Sequence, residues 1–479
     1  MKRRCIKWSL KRQKPTDAGC SASKGRIIFF TNSIHMTYKS IILFLLVNLA
    51  AAGVSLPALA QAKPQQPLLT LDEAIEKGLS NNFDIQILKN EEDIALIQNN
   101  WGNAGRLPVV NGAAGYNYSN TNLRQKLVNG TNIERDGASF QNENASVQVQ
   151  WRLYSGGRVI AAKKRLEQTA LIANLQIRQQ ANQVVYNIIT AYINILRLEK
   201  QLDATKESIR LFEERMKLAE NRFNIGVAPK SDFLQAAADL NLQRNLVITL
   251  ENNIALSKTF LNNQLARNPD EVFEVSDNVA DATLPDRKSL LATIDSLNPQ
   301  VLINKTQSLV LMQQAKEINA LRLPIVTLNA GGNLNNSNNS AGFTLQNTTY
   351  GPNAGVGVAI PIFQGGVVKQ QLRVNEVQQK NQAISLDILR NNLLTSLANA
   401  YNTYENARRQ FELEKQNLEI IKENNLIAME RFKKASITTV EFRQTQLDLV
   451  ESQTRSINAQ YQMKQAEADV MLIVGKFVE

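Results

Sequence analysis

Two short stretches gather the residues best able to do polar chemistry. Arg222-Phe223-Asn224-Ile225-Gly226 is followed by Asp232, and Arg431-Phe432 is followed by Glu441 and Arg443. In each, an acid stands ten residues after an arginine (222 to 232, 431 to 441). Chemistry that needs more than charge has few candidates. Cys5, Cys20 and His35 are the only Cys and His in the chain, and all precede Met36. Beyond them there is no thiol or imidazole to serve as nucleophile, base or metal ligand, which removes Cys/His metal sites, disulfides and most enzyme classes. Serine, lysine or carboxylate catalysis stays open by composition, but no constellation suggests it. We expect no enzyme: no catalytic residue, no cofactor and no metal.

The elements that carry these residues are helices. Gly226 suits a left-handed helix end and Pro229 an early helical position, while Thr438-x-x-Glu441 has capping-box spacing. Both stretches therefore predict reversals between antiparallel helices. Asp232 and Glu441 fall in the first turn of the helix that follows, where free N–H groups favour a carboxylate. The helices leading in are long. No proline interrupts the chain from Gly157 to Phe223, or from Gly366 to the end, and at the helical rise the first stretch reaches on the order of 100 Å. Leu166, Ala170, Ala173, Ile177, Val184, Ile188, Ala191, Ile195 and Leu198 keep three/four spacing, and so do Leu386, Leu389, Leu393, Leu397, Ala400 and Tyr404. These stripes read as packing seams rather than binding sites.

The chain says nearly the same thing twice. Arg106-Leu107-Pro108 returns as Arg322-Leu323-Pro324, an offset of 216, and Gly156-Gly157 returns as Gly365-Gly366, an offset of 209. The second offset persists through Arg222-Phe223 and Arg431-Phe432 to Asp239-Leu240 and Asp448-Leu449. A fixed offset means a duplicated structural unit. Each copy reads helix, strand, strand, helix. Val110, Gly112, Ala114, Tyr116 and Tyr118 alternate with smaller or polar residues, and Val326, Leu328, Ala330, Gly332 and Leu334 do the same. Strands are expected at about 107–119, 143–154, 324–335 and 353–363, of a length and alternation that fit a transmembrane β-barrel. The expected organisation is a first repeat over 61–265, a connector over 266–285 and a second repeat over 286–479.

Residues 1–60 read as an N-terminal extension plus signal peptide. Ile41 to Ala60 supplies an apolar run with a small-residue end, and cleavage is expected after Ala60 or Ala62, with Met36 the expected true start. This stretch holds ten Lys/Arg and one acid, a net of +9 out of the chain's +11. The remaining +2 leaves no basic surface to argue for nucleic acid.

Two strand pairs per chain cannot close a barrel, and in lipid every sheet edge must be paired. Two chains give eight strands and a filled interior, whereas three give twelve and a lumen. A homotrimer set in lipid, with long helices ringing the barrel as a hollow tube, is the simplest answer. Trp101 and Trp151 stand near the barrel ends, as interfacial anchors or as core packing.

The duplicated plan, the two hairpin turns followed by Asp232 and Glu441, and the Arg-Leu-Pro strand starts resemble a TolC-type outer-membrane efflux factor over about residues 68–475. The resemblance implies an α+β membrane protein: a trimeric twelve-stranded outer-membrane β-barrel continued by a periplasmic α-helical barrel. It further implies a Gram-negative outer membrane, a periplasmic adaptor (membrane fusion) protein, and an inner-membrane pump of the RND or ABC type. By position, Arg222, Phe223, Gly226, Asp232, Arg431, Phe432, Glu441 and Arg443 would form the gated, adaptor-docking tip. The sequence departs from the family pattern at Ile437, Gln444 and Ala435, which stand for an arginine, an aspartate and a glycine. The usual closing link is thus absent in that form, and Arg443 is the candidate substitute partner. Drug efflux, protein export by a type I system, and a non-transport structural envelope role are the competing functions.

Overall fold

A computed structural model describes residues 67–277 and 284–477 of the chain. Met36, the cleavage site, Cys5, Cys20 and His35 lie outside the described residues. A short strand β1 (Leu68–Leu69) leads to helices α1 (Leu71–Asn81) and α2 (Phe83–Gln98), strands β2 (Val109–Lys126) and β3 (Asn132–Ser155), and helices α3 (Arg158–Asn224) and α4 (Lys230–Gln264). The same order then returns as β4 (Glu274–Val275), α5 (Arg287–Leu297), α6 (Pro299–Ala320), β5 (Ile325–Asn339), β6 (Gln346–Ala359), α7 (Val367–Lys433) and α8 (Thr439–Val474).

Helices α3 and α7 contain 67 residues each, and each starts and ends 209 residues from its counterpart (158 and 367, 224 and 433). Neither contains a glycine or proline to break the ladder. Each is preceded by a glycine in the left-handed region, Gly157 at φ 84° and Gly366 at φ 76°. That conformation lets the chain turn sharply out of the sheet.

The expected seam of α3 is buried at Ala170, Ala173, Val184, Ile188, Ala191, Ile195 and Leu198. Its middle packs with Leu69, Leu261, Leu265, Phe273 and Val275 in one core cluster. The α7 seam buries Leu393, Leu397 and Tyr404 against Leu290, Ile294, Val301 and Val470. The connector over 266–285 contains a strand: β4 pairs in parallel with β1. Tyr192 secures that pair. Its buried hydroxyl lies 2.9 Å from the Leu69 carbonyl and 2.8 Å from the Ser276 carbonyl, and accepts the Ser276 N–H at 2.8 Å. Burial pushes its pKa up to about 12.

The four long strands form one antiparallel sheet in the order β2-β3-β5-β6, so β3 and β5 join the two halves. Within the described chain, β2 and β6 each keep one unpaired edge. The strands depart from expectation in length. β2 continues past 119 to Lys126, and β3 begins at Asn132 rather than 143. The extension mixes polar and charged residues and has no apolar face to betray its period, yet backbone pairing requires none. Asn122 Oδ1 accepts the Gly137 N–H at 2.9 Å where the register shifts beside it. β6 stops at Ala359 instead of 363, because Pro361 cannot donate to a ladder.

Candidate functional site at the hairpin tips

The residues singled out in the sequence lie at two neighbouring helix reversals. In the first, α3 ends in a left-handed turn at Gly226 (φ 78°). The Gly226 N–H donates to Phe223 O at 2.9 Å and the Val227 N–H to Arg222 O at 2.9 Å, meeting the last free carbonyls of α3. Pro229 is not inside the next helix but is its cap residue, at φ −72° and ψ 152°. Its missing N–H is harmless there, since helix-start N–H groups lack intrahelical acceptors.

The second reversal repeats this geometry without a glycine. Ala435 takes φ 56°, its N–H donates to Phe432 O at 3.0 Å, and the Ser436 N–H donates to Arg431 O at 2.8 Å. The capping box then forms in full: the Glu441 N–H donates to Thr438 Oγ1 at 3.2 Å, and the Thr438 N–H donates to Glu441 Oε2 at 2.8 Å. The Thr438 backbone bond, then its hydroxyl, then nearby Arg431 hold the Glu441 carboxyl below its ordinary range. Glu441 is therefore an ionised, exposed helix-start cap.

Two contacts join the reversals. Thr439 Oγ1 donates to Asp232 Oδ2 at 2.9 Å. Arg222 Nη2 donates to Phe432 O at 2.9 Å, with its guanidinium 4.4 Å over the Phe432 ring. Phe432 in turn stacks on Phe442, ring centroids 4.6 Å apart, inside a small core with Ala428 and Met429. Phe223, the counterpart of Phe432, joins no such core and is 37 % exposed.

Arg443 does not partner Asp232. It reaches Asp239, donating from Nε to Oδ2 at 2.7 Å and from Nη2 to Oδ1 at 3.1 Å. Asp239 is buried and also binds Arg215, which is only 1 % exposed, as well as Gln235 at 2.9 Å. Arg215 Nη1 donates to Gln446 Oε1 at 3.0 Å. Burial raises the Asp239 pKa, but the bonds from Arg443, Arg215 and Gln235 outweigh it and hold the carboxyl below its ordinary value. Two cations thus share one buried acid, tying α3 and α4 to α8. Removing the acid would leave Arg215 uncompensated.

Sequence reasoning passed over this cluster, although a signal existed. The α3 stripe runs on through Leu198, Thr205, Ser208, Phe212, Arg215 and Ala219, all buried. An arginine on a three/four seam needs a buried acid, and Asp239 lies on the helix that folds back along it.

The outer membrane efflux protein family matches residues 74–266 and 298–476. Among relatives, the toxin and drug export protein A of Aggregatibacter actinomycetemcomitans is 23 % identical over 350 residues, 71 % of this chain and 72 % of that protein. The outer membrane protein TolC of Escherichia coli strain K12 is 21 % identical over 439 residues, 89 % of this chain and 83 % of that one. The outer membrane protein VceC of Vibrio cholerae superposes with a TM-score of 0.67 at 16 % identity, over 85 % of this chain and 96 % of that structure. The fold is thus that of known outer-membrane channels, and the chain belongs to the outer membrane efflux protein family as a TolC-type outer-membrane efflux channel.

Proposed function

We propose that three copies of this chain form a duct that passes small molecules, drugs and toxic compounds among them, from periplasm to exterior. An inner-membrane pump of the RND or ABC type supplies the cargo, and a periplasmic adaptor docks on the hairpin tips. The observation that carries this reading is the sheet with two open edges. One of its faces presents Val110, Val149, Ala330 and Ala354 on one rung and Val147, Gly332 and Pro352 on the next. Such a face suits lipid, and lipid tolerates no unpaired edge. Closing β6 of each copy on β2 of the next gives twelve strands and a lumen.

At the tips, the Thr439–Asp232 bond and the Asp239 cluster support a closed state in which the two hairpins are held together, and opening must release them. Exposed Ile225 and Val227 in the first reversal suit an adaptor contact. Glu441 contributes one carboxylate per copy to the entrance. Because one relative is named for toxin as well as drug export, a duct for protein secretion driven by an ABC exporter is the second reading.

Deletion of the gene, paired with gel analysis of unheated outer-membrane fractions, tests the proposal. Heat-labile trimers and increased susceptibility to several unrelated compounds are expected. Trimers with unchanged susceptibility but a protein lost from the culture medium would favour secretion. A monomeric protein would overturn the duct itself.

A further inference from the structure

The second face of the sheet differs from the apolar one in a way that transport alone does not require. Five successive rungs cross all four strands on the face that carries Gln150 and Asn142. Of those twenty positions, eleven are Asn or Gln, among them Gln148, Asn144, Asn329, Asn333 and Asn335, and the others are Gly, Ala, Ser, Thr or Val. None is ionisable. Charge returns only at the ends. Arg152 sits one rung below, opposite Thr327, and beyond the register shift Arg124, Lys126 and Arg135 lie among Glu134 and Asp136.

We propose that these five rungs line the lumen as a charge-blind conduit, so that anionic and cationic compounds pass this section alike. The inference rests on the duct reading above. Pores that select by charge carry rings of one sign, and no such ring occurs over these five rungs. A carboxamide offers two N–H donors and a carbonyl acceptor, so it can solvate either sign of charge by rotating. Any preference for charge then belongs to Arg152 and the periplasmic tips, outside this section.

Thiol accessibility tests it, since the chain has no cysteine after Cys20. Asn333→Cys and Asn144→Cys, each introduced alone, face the proposed lumen, and Leu334→Cys faces the proposed lipid. The purified assembly in proteoliposomes is treated from the barrel's outer mouth with cationic and anionic methanethiosulfonates. Each rate is divided by that reagent's rate with a free thiol in solution. At Asn333→Cys and Asn144→Cys the two corrected rates should agree within about threefold, whereas a ring of fixed charge concentrates its counter-ion by about tenfold or more. Adding Asn335→Asp to Asn333→Cys should shift the ratio toward the cationic reagent, which establishes that the assay reads charge. A strong bias of either sign at both unmodified sites overturns the charge-blind conduit while leaving the duct intact. Faster labelling at Leu334→Cys than at Asn333→Cys reverses the faces and overturns both.

Discussion

The two hairpin tips share a backbone and little else. The first turns on Gly226 and leaves Ile225 and Val227 73 % and 68 % exposed. The second turns on Ala435, closes a capping box, and buries Phe432 against Phe442. Asp239 of the first hairpin is buried between two arginines, while its counterpart Asp448 meets only a neighbouring amide, Gln444 at 2.7 Å. Arg443 stands where the first hairpin has Leu234, and Arg215 where the second has Asn424. The tips have divided the labour. One is an internally consolidated knob. The other supplies the buried acid and the exposed apolar surface.

The largest effect should come from breaking the shared cluster. Asp239→Asn strands the buried Arg215 charge and should destabilise the tip by about 3–5 kcal/mol, read as faster amide exchange at the start of α8 and the end of α3. Asp448→Asn should stay within about 0.5 kcal/mol. If the two cost the same, the asymmetry is cosmetic. The same carboxyl sets a pH limit. Its folded pKa is depressed, so its contribution is complete above the ordinary aspartate value of about 4 and is lost as pH falls through the folded value. The tip should therefore loosen only in acid.

Next comes the aromatic pair. Phe442→Ala removes a fully buried ring and should cost about 3–5 kcal/mol locally. Phe233→Ala, at the matching site of the first hairpin, should cost about 1–2 kcal/mol, since that ring is only partly buried. Exchange protection of Phe432 and its neighbours distinguishes them. The smallest effect concerns the turn residues. Ala435→Gly should stabilise its turn by about 1 kcal/mol by relieving a left-handed alanine, and Gly226→Ala should lose about as much. A Cβ at Gly226 meets nothing within 4 Å, so the loss would be backbone strain alone.

What could be read from the sequence follows from how each feature announces itself. The long helices and their reversals were legible because seams, capping residues and a missing proline are local signals. The apolar parts of the strands were legible through alternation, as in Val326, Leu328 and Ala330. The extended halves of β2 and β3 were not, because polar and charged residues on both faces hide a period of two. Glu441 was readable as a cap from its spacing to Thr438. The partner of Arg443 was not, because pairing between helices depends on their relative rotation, which no spacing within one helix encodes. Pro229 was misplaced by one turn position for a similar reason: a helix-start proline and a capping proline carry the same backbone angle φ.

The parallel pair of β1 and β4 bears on the order in which the chain can fold. Its two short strands are separated in sequence by α1 through α4, so pairing them closes a long loop against chain entropy. Two ladder positions, Leu68 with Glu274 and Leu69 with Val275, cannot offset that alone. The Tyr192 hydroxyl and the apolar bed of Leu261 and Phe273 must already be in place, which requires α3 and α4 to have docked first. Closure of this pair is therefore a late event, a seal set after the long hairpin exists, and protease protection at Leu69 marks a chain that has finished folding rather than one that has begun.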